Sequence, residues 1–352
     1  MFKWFLSLIM IIFLGCGGSS SGGTDLNPFN VNTFDPYTEP EFKHAWHLQR
    51  VNADYASSRG ISDDAHINIF DVWNQKIFGN NVKVAIIDYD FNPYQEDIYQ
   101  NVIKTFNVDT NSTQVSKYES SHGTGVASLI SASYNGKGTI GVAPNAKLIL
   151  IDANLSDNAS KIKAFYKAKE LGANVVSCSW GTLDVSYSLA QTIKELYDDN
   201  ITVIFSSGNN MQDLDQSYYY EDEAELDWVI GVGATTEANI KADYSNYGDK
   251  IDILAPGGRG DGGLVAAKYY NTYTDKFNGT SASAPVVAGV VALMLEVNPN
   301  LTPDEVREIL IKTADKIDPE NANYDSNGFS HTYAYGKVNA SKAVSLAIQY
   351  KK

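Results

Sequence analysis

The chain has 352 residues, 43% of them apolar, which exceeds the roughly 100–200 residues of a typical domain yet still suits one large α/β domain with a sizeable core. Its 42 acidic and 27 basic residues leave a net charge of −15, which repels a phosphate backbone and excludes sequence-independent nucleic-acid binding. Two cysteines, Cys16 and Cys178, build neither a disulfide framework nor a four-thiolate zinc site.

Residues 1–15 carry a single Lys3, an apolar run from Trp4 to Leu14, and Gly15 ahead of Cys16. The run falls short of the ~20 apolar residues a spanning helix needs and reads as a secretory leader. The GGSSSGG that follows Cys16 is a flexible tether. A cysteine at this junction resembles the lipobox of bacterial lipoproteins, in which the leader is cut before the cysteine and the thiol and new amino group are acylated. The resemblance implies lipid attachment at Cys16, the membrane as a partner, and an extracytoplasmic place in the bacterial cell envelope. An ordinary signal peptide with an unrelated cysteine is the alternative.

Residues 16–43 continue through Pro28, Pro36 and Pro40 without helical or alternating period, and are expected to form a tether and extended connector. From His44 onward, short β-branched runs alternate with amphipathic stretches. Strands are expected at 82–87, 148–151, 174–177, 202–205, 229–232 and 251–254; helices at 124–133, 158–170, 186–198, 284–297 and 302–315. That alternation predicts a doubly wound, mostly parallel sheet flanked by helices, in one domain over 44–348.

Three segments put a chemically special residue at a strand end or helix start. VKVAIIDYD ends a buried strand at Asp88, where open α/β sheets place their sites, although an N-capping Asp would sit there too. SSHGTGVASLISA places His122 before a glycine-rich turn, and FNGTSASAPVVAGVVALML places Ser281 at the head of an apolar helix, where serine also serves as an N-cap.

The order Asp, His, Ser, with these flanks, resembles the subtilisin-like serine peptidase family over roughly residues 44–347. SHGTGVA, GTSASAP, SSGN at 206–209, GVAP at 141–144, LAPG at 254–257 and the closing AYGKVNASKAV fall in family order. The opening HAWHLQRVN and INIFDVWNQKIFGNNVKVAIID is similar to the kexin-type members. The resemblance implies an endopeptidase acting on extended polypeptides. Ser281 would be the nucleophile, His122 the base that takes its proton, and Asp88 the group orienting the imidazole. The Asn209 side chain and the Ser281 backbone N–H would hold the oxyanion. Ser179, Trp180 and Gly181 would form one wall of the primary pocket and Ser206, Ser207 and Gly208 the other. Trp180 either narrows that pocket or is structural. The run Tyr218-Tyr219-Tyr220-Glu221-Asp222-Glu223 either favours basic residues before the cut bond or is a solvated acidic loop.

No cofactor is required for this chemistry. Asp97 and Asn135 match positions that bind a structural calcium in subtilisins, so a bound calcium is allowed though not demanded. Cys178 is expected to be a buried core residue. Tyr89 and Asp90 stand where the family carries a small residue and Gly, and Gly125 and Ala282 replace a frequent His or Arg and a frequent Met. Residues 17–43 are too short and irregular for an inhibitory prodomain, so the mature protein is expected to keep Cys16 and the domain in one chain. Activity is expected to fall as His122 is protonated, near the ~6.5 of an unperturbed imidazole. The rival readings are a catalytically impaired binding protein on the same scaffold and a periplasmic solute-binding lipoprotein. The oligomeric state is left open.

Overall fold

A computed structural model of the chain describes residues 34–116, 121–182, 184–216 and 222–350. The expected leader, lipid-bearing Cys16 and glycine-serine tether lie outside the described residues, as do Tyr218, Tyr219, Tyr220 and Glu221. The elements run α1 (Ala53–Arg59), α2 (Phe70–Asn74), β1 (Lys83–Asp88), β2 (Val102–Asn107), α3 (His122–Ser131), β3 (Lys147–Asp152), α4 (Asn158–Glu170), β4 (Val175–Cys178), α5 (Tyr187–Asp198) and β5 (Thr202–Ser206). They continue with β6 (Ile230–Thr235), β7 (Ile253–Pro256), β8 (Leu264–Ala267), β9 (Tyr273–Phe277), α6 (Thr280–Val297), α7 (Pro303–Thr313), α8 (Pro319–Ala322) and α9 (Ala340–Gln349).

The strands β1 to β7 form a seven-stranded parallel sheet in the order β2-β3-β1-β4-β5-β6-β7, and β8 pairs with β9 as an antiparallel ribbon. Val84 and Ile86 of β1 join the core on one face while Ala85 and Ile87 join the core on the other. A strand covered by helices on both sides must be apolar on both sides, which is why these runs do not alternate with polar residues. Residues of α2, α3, α6, α7 and α9 pack in the first core, and α4 and α5 in the second. The two layers are held at their ends by local chemistry. Asp157 caps α4 by accepting the Ala159 N–H, and Thr302 and Glu305 cap α7 reciprocally. Cys178 is buried at the end of β4. The 18-residue α6 is apolar enough to cross a membrane by length and composition, but it is buried against the sheet as a core helix.

From β1 the chain travels to β2 and β3 on one side, then returns past β1 to β4 on the other. The carboxyl end of β1 therefore lies where the strand order reverses, the place where parallel sheets open a crevice.

Two expectations need correction. The packed region starts by Phe34 rather than His44. Asp35 accepts the Tyr37 N–H to cap a short 3-10 turn at Pro36–Thr38, and a second turn follows at Phe42–His44. Phe34 packs on Trp73, Phe78 and Tyr134 at ring-centroid distances of 5.5, 4.9 and 4.9 Å. The prolines thus set turns that two aromatic anchors, Phe34 and Phe42, press onto the core. The unanticipated β2 is a half-exposed edge strand with an irregular register between Val102 and Lys104, so it shows neither a buried run nor clean alternation.

Candidate active site

Asp88 is the last residue of β1 and is fully buried. Its Oδ1 accepts the Tyr89 N–H at 2.8 Å. His122 Nδ1 lies 2.8 Å from Oδ1 and 3.0 Å from Oδ2 of the same carboxylate. Ser121, left-handed at φ 57°, turns the chain so that His122 opens α3, and the Gly123 N–H ties that opening to the Tyr89 carbonyl at 3.0 Å. Burial opposes charge on His122, but the hydrogen-bonded Asp88 outweighs it and Asp90 adds to it, so the imidazole is held above its ordinary pKa. The expected midpoint near 6.5 therefore moves upward. Asp90 is turned inward, where burial and then the Asp152 and Asp88 carboxylates raise its own pKa.

Two rings flank the imidazole. Tyr89 stacks on it at 5.3 Å and 6°, and Phe277 of β9 leans on it at 5.7 Å and 44°. Phe277 fits because Gly125 lacks a side chain: a Cβ there would lie 2.7 Å from Phe277 Cε2.

Ser281 is the second residue of α6, reached through Gly279 at φ 99°, a conformation that favours glycine. Its hydroxyl donates to the Ser179 carbonyl at 3.0 Å rather than to His122, and the Ser179 hydroxyl donates back to the Ser281 carbonyl at 3.0 Å. The second bond has a covalent cause. Pro285, four residues into the helix from Ser281, has no N–H to offer that carbonyl. Asn209 Oδ1 accepts both the Thr280 N–H at 2.9 Å and the Thr280 hydroxyl at 3.0 Å, while Thr280 Oγ1 accepts the Gly208 N–H at 3.2 Å. The amide nitrogen of Asn209 is thereby left to donate elsewhere. The structure thus joins Asp88 to His122, and Asn209 and Ser179 to the head of α6, with Phe277 reaching from the lead-in of α6 to the imidazole.

Of the expected pocket walls, Ser179 lies where β4 leaves the sheet and Ser206 ends β5. Ser206 and Ser207 are buried, and the Ser207 hydroxyl donates to the Asn246 carbonyl at 3.1 Å. The Trp180 indole N–H donates to the Ile87 carbonyl at 2.8 Å, and its ring meets Phe205 edge-on at 4.9 Å, so this side chain braces the end of β1. Asp222 caps a short turn by accepting the Ala224 N–H at 3.0 Å, and Glu223 accepts the Thr182 N–H and hydroxyl at 2.9 and 2.8 Å. Asp222 also approaches the wall: a Cβ on Gly181 would lie 2.8 Å from its Oδ2.

Asp97 is buried, with Oδ2 accepting the Thr139 N–H at 2.9 Å and Oδ1 the Tyr273 hydroxyl at 3.1 Å. Asn135 Oδ1 accepts the Lys137 N–H at 2.9 Å, and its Nδ2 donates to the Glu96 carbonyl at 2.9 Å. Sequence reasoning missed Glu39, whose buried carboxylate enters the same loop and accepts the N–H groups of Asn135, Gly136 and Lys137. Burial raises Glu39 to about 7 and Asp97 to about 8. Among the described residues neither is paired with a basic side chain, so this oxygen-rich loop fits a hard cation. A second compact group, Asp213, Asp215 and His331, brings its ligand atoms within 4.8 Å of one another, with His331 Nδ1 also 2.7 Å from Asp249 Oδ1.

The signals for the missed residues were present but short. Proline four residues after Ser281 marks an open carbonyl, and Thr280 precedes the serine directly.

The sequence profile described as "Subtilase family" matches residues 79–336. The chain is 30% identical over 380 residues to a "Calcium-dependent protease" of Trichormus variabilis, covering 92% of this chain and 55% of that protein. It is 30% identical over 302 residues to "Subtilisin BL" of Lederbergia lenta, covering 85% of this chain and 97% of that protein. The chain thus spans about half the length of the calcium-dependent proteases it matches. Among solved structures, the serine protease of Aeromonas sobria, crystallised with a chaperone, superimposes with a TM-score of 0.79 at 21% identity, over 89% of this chain and 68% of that one. This last likeness concerns the fold alone.

Proposed function

The chain belongs to the subtilase family, and on that premise we propose that it is a serine endopeptidase cutting extended polypeptides with Asp88, His122, Ser281 and Asn209. The observation that carries this reading is the pairing of His122 Nδ1 with both oxygens of buried Asp88. A carboxylate at that nitrogen fixes the tautomer with Nε2 free to accept a proton, and stabilises the imidazolium that results. Ser281 Oγ leaves the Ser179 carbonyl by side-chain rotation and attacks the substrate carbonyl, its proton passing to His122 Nε2. Such hydrogen bonds often tighten only with substrate bound. The negative oxygen of the tetrahedral intermediate is held by the Asn209 amide and the Ser281 backbone N–H at the positive end of α6. His122 then returns the proton to the departing amine, leaving an acyl-serine. Water, deprotonated by the same imidazole, hydrolyses that ester. The substrate lies as an added strand between the walls at 179–181 and 206–208.

Two attachments complete the proposal. A calcium held by Asp97, Asn135 and Glu39 supports the loop after α3 and takes no part in the chemistry. A lipid on Cys16 keeps the domain at an extracytoplasmic membrane face; metabolic labelling with a palmitate analogue that marks Cys16→Ser as strongly as wild type overturns this part. The central test is covalent labelling by a fluorophosphonate. Wild type is expected to be labelled and Ser281→Ala and His122→Ala to be inert. An unlabelled wild type would leave a binding protein on the same scaffold.

A further inference from the structure

The geometry points to Tyr89 and Phe277 as positioning residues that hold the His122 imidazole between two aromatic faces and favour its protonated form. The inference rests on the triad reading above and adds to it two residues and a regulated quantity, the basicity of the general base.

The Tyr89 ring is within 6° of parallel to the imidazole at 5.3 Å, and Phe277 lies against it at 5.7 Å. A positive charge facing aromatic π electrons is attracted to them, and the attraction grows where water is excluded. A neutral imidazole gains much less, so the pair of rings stabilises imidazolium selectively. The other groups facing His122 fall into two classes. From the end of β1 come the Asp88 carboxylate at Nδ1 and, beyond it, Asp90, which itself faces Asp152 at the end of β3. Among the described residues of α3 and the head of α6, the nearby positions Gly123, Thr124, Gly125 and Ser281 carry no charge. Asp88 fixes one ring nitrogen in place but leaves rotation about that contact open, and the two aromatic planes restrict it.

Two peculiarities of the sequence are explained together. Tyr89 stands where a small residue is usual after the aspartate, and its backbone stays engaged with Asp88 and Gly123 while the ring covers the imidazole. Gly125 stands where a large basic side chain is frequent, and its missing Cβ is what admits Phe277.

The measurement is an NMR titration of the His122 imidazole in Ser281→Ala protein, which needs no activity, with the signal assigned by its loss in His122→Gln. Tyr89→Leu and Phe277→Leu are each expected to lower the midpoint by about half a pH unit, and the double variant by about one. Tyr89→Phe, which keeps the ring, is expected to stay within about 0.2 units of the parent. A retained cooperative thermal unfolding transition shows that each variant is folded. A midpoint unmoved in both leucine variants, or lowered as far by Tyr89→Phe as by Tyr89→Leu, overturns the inference. Fluorophosphonate labelling of the same variants with Ser281 restored separates the two claims: no labelling of wild type sinks the triad reading, while the titration still decides the role of the two rings.

Discussion

Two hydrogen bonds from Thr280 decide which way the Asn209 carboxamide faces. With its oxygen occupied, the amide nitrogen is the end available to a developing negative charge. Asn209→Ala is expected to cost ~2.7–4 kcal/mol of transition-state stabilisation, seen as a ~100- to 1000-fold fall in kcat with KM little changed. Steady-state kinetics on a peptide substrate check it, and a loss confined to KM would contradict the role. At this scale the sequence was informative where a residue sat in a short glycine-rich segment. His122, Ser281 and Asn209 stand out that way and Asp88 as the polar end of an apolar strand, and the fold does bring Asp88 to His122. Tyr89 and Thr280 were visible only as chain neighbours of Asp88 and Ser281, and Glu39 and Phe277 not at all, because the contacts each makes are supplied by tertiary packing.

Among the elements, the loop between α3 and β3 shows how burial creates a need. Glu39 and Asp97 are carboxylates enclosed by protein, and burial disfavours their charged forms. A bound dication would reverse that penalty. Addition of a chelator is therefore expected to lower the thermal unfolding midpoint of the full chain, and Asp97→Ala to lower it once and abolish further response to chelator. Equal midpoints with and without chelator in wild type would remove calcium from the account. The core strands were legible because both of their faces are apolar, and α4 was legible to the residue from its apolar spacing. The edge strand β2 and the arm at 34–44 were not. One is half exposed, and the other is held by aromatic contacts to residues far along the chain rather than by any period of its own.

For the whole molecule, one contribution to the pH dependence of stability comes from His47, which is fully buried and, among the described residues, has no hydrogen-bond partner on either ring nitrogen; it is opposite in sign to that of the buried, uncharged-favouring carboxyls of Glu39 and Asp97. Burial lowers its pKa from 6.5 to about 3. The unfolded chain therefore takes up a proton at His47 below about pH 6.5 that the folded chain refuses until about pH 3, and this group's contribution to stability declines through that window. At pH 5 the penalty is about 2 kcal/mol. His47→Leu is expected to remove that contribution, so that the unfolding free energy at pH 5 relative to pH 7, measured by urea denaturation, lies about 2 kcal/mol higher than in wild type; a parallel pH dependence in both proteins would refute it. The doubly wound architecture itself follows from the alternation of β-branched runs with amphipathic helices, and it brings residues from distant segments to one crevice. Pro285 has an effect at this scale. Its missing amide is a fixed covalent property, so no breathing of α6 can restore the lost bond within the helix, and the backbone of Ser281 is coupled to the far side of the cleft through Ser179. On the proposed reading Ser281 travels with the wall at 179–181, so a badly seated peptide is expected to displace its hydroxyl along with that wall, to be felt as slow turnover more than as weak capture.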